Sequence, residues 1–324
     1  MTRIDLITGI LGSGKTTFLI GYAKYLISQG KRIAVLENDF GAVNADMMML
    51  QELKTDGCTL EMVAGGGDPD CHRRRFKTQL ISLGMQHFDR VIVEPSGIFD
   101  MDEFFDLLHE SPLDRWFEPG SVLTIVDPTM KEDLGGQMEY LLASQAACSG
   151  KLILSKLGLP GRGSPDEEAG KVLAHLERAL AAVKCDRKFS LADVFAKDWS
   201  SLDGDDYTKL MNAGYRGARY VKLYLPDDIS STTHYYMNLR IPENEIPAVL
   251  SGIMSSCGKI YRIKGGLPAS GGGWLRVNAS PERIELLPAE EGQSVLIVIG
   301  EGTDHAAVDA RLRAVNTDPE YVSI

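Results

Sequence analysis

The stretch Gly9-Ile-Leu-Gly-Ser-Gly-Lys-Thr-Thr17 decides the fold. It satisfies the phosphate-loop pattern G-x-x-x-x-G-K-[ST], and its flanks suit one. Residues 3–8 are apolar enough for a buried strand, and over 16–29 the residues Phe18, Leu19, Tyr22 and Leu26 recur at helical spacing up to Gly30. A strand, a glycine turn and a helix in that order aim the backbone N–H groups of Gly12, Ser13, Gly14, Lys15, Thr16 and Thr17 at an anion, beside the positive end of the helix. In such a loop Lys15 neutralises β and γ phosphate oxygens, and the Thr16 hydroxyl takes one Mg2+ position.

Hydrolysis also needs acids on neighbouring strand ends. Strands are predicted over residues 31–36, 88–93, 121–126 and 151–154, each short, nearly all apolar and closed by polar residues. That is the pattern of buried parallel strands whose carboxyl ends carry function. Glu94, followed by Pro-Ser-Gly97, closes one strand as a catalytic and Mg2+-binding acid, with Gly97 offering its N–H to a γ-phosphate. Glu37 and Asp39 close another, although Asn-Asp-x-Gly is also turn chemistry. Asp127 before Pro128 reads more simply as a turn.

The predicted class is α/β, a P-loop domain with a mainly parallel sheet and helices on both faces, followed by a smaller α+β domain. Residues 1–200 form the first domain, with an amphipathic helix over 166–183. The polar, glycine-containing stretch 201–218 reads as a linker. Residues 219–324 form the second, with strands over 219–225 and 234–239, a helix over 243–257, three or four more strands and a helix over 305–315.

Composition narrows the partners. Of 324 residues, 44% are hydrophobic and 24% charged, and no apolar run is long enough to span a bilayer. Without a signal-peptide pattern at Met1, a cytoplasmic location is expected. A formal charge of −11 opposes binding to nucleic acid, which depends on Lys and Arg displacing phosphate counterions. The five cysteines are scattered and suit free thiols rather than a disulfide framework. The remaining histidines and Trp116, Trp199 and Trp274 read as packing residues.

Together, GILGSGKTT, Glu37-Asn-Asp-Phe-Gly41, Glu94-Pro-Ser-Gly97, Ser121-Val-Leu-Thr-Ile-Val-Asp127 and Lys259-Ile-Tyr-Arg-Ile-Lys-Gly265 resemble the CobW-like P-loop GTPases, a family of metallochaperones and metal-centre assembly factors. The resemblance implies a CobW-type C-terminal domain and a nucleotide-sensing switch at Glu37 and Asp39. It also implies a client metalloenzyme or cofactor-assembly protein as partner, with a homodimer as one possible assembly.

Two departures stand out. Where the family carries Cys-x-Cys-Cys, this chain reads Gly65-Gly-Gly-Asp68-Pro69-Asp70-Cys71-His72. Asp68, Asp70, Cys71 and His72 form a harder donor set, suited to Zn2+ or Co2+ or else to a flexible turn. Where the family reads guanine with Asn-Lys-x-Asp, this chain has Ser155-Lys156-Leu157-Gly158. Ser155 and Lys156 remain as base-side residues, but Gly158 offers no carboxylate, so discrimination between GTP and ATP should fall. The leading expectation is nucleotide hydrolysis coupled to delivery of a metal or a corrinoid-like cofactor. A nucleotide-gated adaptor with little turnover is the alternative, and a small-molecule kinase is a third.

Overall fold

The computed structural model describes residues 1–39, 49–55, 57–64, 69–96, 101–224, 232–281 and 283–323. The chain divides into two compact units, split at residues 229/230. In the first, β1 (Thr2–Thr8), β2 (Ile33–Asp39), β3 (Cys58–Ala64), β4 (Arg90–Pro95), β5 (Phe117–Val126), β6 (Lys151–Leu154) and β7 (Val194–Phe195) form one sheet in the order β3-β2-β4-β1-β5-β6-β7. Every pairing in it is parallel.

Alternation along the strands sends side chains to both faces. Ala34, Leu36, Val91 and Val93 join Phe76, Leu80 and Leu83 of α2 (Pro69–Gly84) and Phe104 and Leu107 of α3 (Met101–Leu108) in one core cluster. The opposite parity, Ile33, Val35 and Ile92, is equally buried, as are Phe18, Leu19, Tyr22 and Leu26 of α1 (Lys15–Ser28). The expected α/β layering is therefore present. Among the described residues no helix is long and apolar enough to cross a membrane.

Asp5 of β1 is fully buried at the centre of this unit. Arg90 Nη1 donates to both its carboxylate oxygens at 2.6 Å, Tyr22 OH donates at 2.8 Å, and the Ser121 N–H at 2.7 Å. One carboxylate thus joins three adjacent strands and α1. A Cβ on Gly120 would overlap Asp5 Oδ1, which explains the glycine there. Burial, followed by the Asp5 charge, pushes the Tyr22 phenol well above its ordinary range.

The stretch expected as a linker instead belongs to the first unit. Asp203 caps α7 (Gly204–Met211) by accepting from the Asp206 N–H, while the Asp206 carboxylate accepts from the Asp203 N–H. This reciprocal box starts a helix within a sequence that reads as turn. Tyr207 stacks on Tyr25 of α1 at 5.0 Å, Leu210 is buried, and the Met211 carbonyl accepts from Arg90 and from Ser121 Oγ. Beyond it, Val122 donates to the Gly214 carbonyl, and a Cβ on Gly150 would overlap that same oxygen. The strand expected over 219–225 is not formed at 219–224. That segment is irregular, with the Val221 N–H bonded to the Val183 carbonyl and Tyr224 packed on Tyr140.

The second unit is a six-stranded sheet in the order β11-β10-β9-β12-β8-β13. Its strands are β8 (Thr232–Met237), β9 (Lys259–Pro268), β10 (Trp274–Ser280), β11 (Arg283–Ala289), β12 (Val295–Glu301) and β13 (Val322–Ser323), and all their pairings are antiparallel. Leu250 and Ile253 of α8 (Ile246–Ser256) and Val308 and Leu312 of α9 (His305–Val315) share its core with Ile263, Val277, Leu296 and Val298. This is the expected α+β layout.

Candidate functional site

The phosphate loop follows β1 directly. Gly12 and Gly14 take φ of 80° and 105°, left-handed backbone open to glycine at little cost. Gly9 is required for space as well, because a Cβ there would overlap the Ile125 carbonyl of β5. Gly14 caps α1 without a side-chain bond, and the first turn of α1 holds no acidic residue, so its N–H groups face the loop unopposed. Ser13 is buried, and its hydroxyl has no hydrogen-bond partner among the described residues. These are features of an anion cradle. Lys15 is 7% exposed and donates to the Gly9 carbonyl at 3.0 Å across the loop.

The acids gather beside it. Thr16 Oγ1 donates to Glu94 Oε1 at 2.9 Å. Glu37 lies directly opposite Glu94 in the parallel register of β2 and β4, and both are buried, 3% and 2% exposed. Two carboxylates side by side in a dry site repel each other unless a cation lies near. The hydroxyl of Thr16 and these carboxylates are hard oxygen donors of the kind Mg2+ takes, so the residues fit the expected ion. Asn38, between the acids and the end of β2, is buried with neither amide atom bonded among the described residues. Gly97 lies outside the described residues, as does the Asp39 side chain.

The metal-motif segment divides. Asp68 and the Asp70 side chain lie outside the described residues, while Pro69 opens α2, so Cys71 and His72 stand in its first turn rather than in a flexible turn. Proline suits that position because its missing N–H has no helical partner there. Cys71 is partly buried and His72 is 4% exposed. Consecutive helical residues diverge by about 100° around the axis, so the two do not face one point. Among the described residues no group of three or more His, Cys, Asp or Glu side chains converges as a metal cage.

On the base side, Ser155 is 1% exposed and its hydroxyl donates to the Val126 carbonyl at 3.4 Å, tying β5 to β6. Lys156 takes φ of 58° and pairs with Asp127, whose other oxygen accepts from the Thr129 N–H at 2.8 Å in an Asx turn. Asp198, which no motif marks, and Trp199, expected only to pack, also reach this corner, both from the loop after β7. The Trp199 ring stands 3.1 Å from where a Gly14 Cβ would be and packs edge-on against Phe18 at 5.5 Å. Asp198 lies against Gly158. The only sequence signal was a polar residue after a two-residue strand, too short to read by periodicity.

Residues 3–184 match the family described as CobW/HypB/UreG, nucleotide-binding domain. The chain is 30% identical over 169 residues to the zinc chaperone YeiR of Escherichia coli (strain K12), covering 52% of this chain and 49% of that protein. It is 29% identical over 191 residues to the zinc chaperone YjiA of the same organism, covering 55% of this chain and 54% of the relative. The chain spans about half the length of the curated relatives it matches. Among solved structures, Zn(II)-bound YjiA GTPase from E. coli is 16% identical with a TM-score of 0.36, covering 98% of this chain and 99% of that one.

Proposed function

Because the chain belongs to the CobW/HypB/UreG family through residues 3–184, we propose that it binds a nucleoside triphosphate in the phosphate loop and hydrolyses it slowly. The cycle would deliver a metal ion or metallocofactor to a client metalloenzyme. The observation that carries the reading is the Thr16 Oγ1 to Glu94 Oε1 bond at 2.9 Å, with Glu37 in register beside it and Lys15 buried across the loop. A hydroxyl, a cation and two acids gathered beside the loop support that reading.

The N–H groups of residues 12–17 and the Lys15 ammonium would bind the phosphate oxygens and hold the triphosphate in line. Mg2+, when bound beside Thr16 and Glu94, would supply positive charge to the transferring phosphoryl group. Glu94 or Glu37 would orient the attacking water, and the loops closing β2 and β4 would sense the γ-phosphate. Turnover would be slow because the sequence offers no recognisable arginine finger, so stimulation by a client is expected. Zinc is the first cargo to consider, since the matched relatives carry that ion in their names. Cobalt or a corrinoid is the second, with Cys71, partly buried at the start of α2, as the candidate sulfur ligand.

The test is phosphate release from wild type, Lys15→Ala and Glu94→Gln with Mg2+. Turnover abolished in both variants supports the reading. Binding without turnover in the wild type would instead make this a nucleotide-gated adaptor.

A further inference from the structure

Gly158 stands where the family places its base-reading carboxylate, and it is not one of the glycines with left-handed backbone. Its glycine is explained by space. A Cβ on residue 158 would overlap Asp198 Oδ2, with the Asp198 Cγ 3.1 Å and Oδ1 3.5 Å from the same point. A carboxylate carried by residue 158 itself would hold its oxygens about 2.4 Å from that Cβ. Asp198 therefore brings a carboxylate oxygen to the place that an aspartate at 158 would fill, and the two side chains exclude each other.

The carboxylate is held in a fixed pose. Asp198 Oδ1 accepts from the Ser200 N–H at 2.8 Å and from Ser200 Oγ at 2.7 Å. The hydroxyl bond, then the backbone bond, lowers its pKa below the ordinary aspartate value, so it is ionised at neutral pH. Oδ2 is the oxygen turned to Gly158. The next residue, Trp199, lies against Gly14, whose own Cβ position is 3.6 Å from the Ser155 Cβ, so this loop meets the phosphate loop and the end of β6 at one corner. Lys156 is there too, its ammonium committed to Asp127.

We propose that Asp198, supplied by the loop after β7, is the residue that selects guanine in this protein, replacing the carboxylate missing at Gly158. A carboxylate accepts from both the N1–H and the 2-amino group of guanine. Adenine presents no such pair of donors, so this carboxylate favours guanine over adenine. The proposal rests on the phosphate-loop reading and adds to it the identity of the base. It runs against the expectation, drawn from Gly158 alone, that discrimination between GTP and ATP should fall.

The experiment is calorimetric titration of the full chain with GTP, ATP and XTP in Mg2+, for wild type, Asp198→Asn, and the double variant Gly158→Asp with Asp198→Gly. Asparagine can still cap the Ser200 N–H, but its amide offers one donor and one acceptor, which match the C2 carbonyl and N1–H of xanthine. Wild type should prefer GTP over ATP by on the order of 100-fold. Asp198→Asn should lose GTP by a similar factor and gain XTP, and the double variant should recover GTP. A gain of XTP binding is not something a folding defect produces. If wild type binds GTP and ATP equally, or Asp198→Asn binds GTP as wild type does, the base assignment is overturned while the phosphate site stands. If Asp198→Asn loses every nucleotide and the double variant does not recover GTP, Asp198 is only a loop cap and the proposal fails. If wild type binds no nucleotide, the phosphate-loop reading falls and the base assignment with it.

Discussion

Replacing Asp5 with alanine should destabilise the first unit by about 3–5 kcal/mol, the range seen when one partner of a buried ion pair is removed. The structure sets the case near that range. The Asp5 side chain is 0% exposed and Arg90 6%, so the pair is almost wholly shielded from water. Without the carboxylate, Arg90 retains the Tyr22 hydroxyl at 3.5 Å and the Met211 carbonyl at 3.3 Å, neither of them charged. The Ser121 N–H loses its acceptor as well. The assay is urea unfolding followed by tryptophan fluorescence, in a Trp274→Phe background that silences the second unit. With a slope of about 2 kcal/mol per molar urea, the midpoint should fall by roughly 2 M. Arg90→Met should cost a similar amount by stranding Asp5. The double variant Asp5→Ala with Arg90→Met should cost less than the two singles together by about 2–3 kcal/mol, because it leaves no buried charge stranded. A single-variant loss under about 1 kcal/mol, or additivity within about 0.5 kcal/mol, would refute the reasoning.

Glu94→Gln should lower the rate of phosphate release by roughly 100- to 1,000-fold, as expected when one preorganised polar group is removed from a charged transition state, and single-turnover kinetics would show it. Gly150→Ala should destabilise the first unit by about 1–3 kcal/mol, because its methyl must displace the Gly214 backbone, with faster amide exchange at residues 212–216 as the specific readout. The second unit should lose stability on acidification. His234 has its basicity lowered first by burial and then by His305, whose ring lies 4.8 Å away. Its folded form therefore resists a proton that the unfolded chain accepts near pH 6.5, so its contribution is complete above that pH and is lost as pH falls. Thermal melts from pH 7.5 to 5 should show the decline, and His234→Phe should flatten it.

The central strands and the phosphate loop were legible because their signals are local: apolar runs, a glycine turn, then helical spacing. Other elements depend on tertiary contacts. The edge strand Cys58–Ala64 mixes Thr59 and Glu61 with its apolar residues, since one side of an edge is less buried, and no strand is predicted there. Residues 201–218 look like a linker because aspartate and glycine favour turns, yet the same Asp203 and Asp206 cap a helix once Tyr25 and Leu210 give it something to pack on. Nothing local marks Asp5 and Arg90, which meet only once β4 lies beside β1. In the site, Lys15, Thr16, Glu37 and Glu94 follow from motif and strand ends. Asp198 does not, because its position depends on β7 lying beside β6.

The anchoring of α7 also sets where the molecule can be cut. A fragment ending at residue 200, the boundary that composition suggests, would remove Met211, which accepts from Arg90 and Ser121, and Tyr207, which stacks on Tyr25. It would also strip the Gly214 carbonyl from Val122 in the middle of the sheet. Such a fragment should express as an insoluble or proteolysed product, whereas one extending through residue 224 keeps every one of these partners and is the piece to purify for binding work.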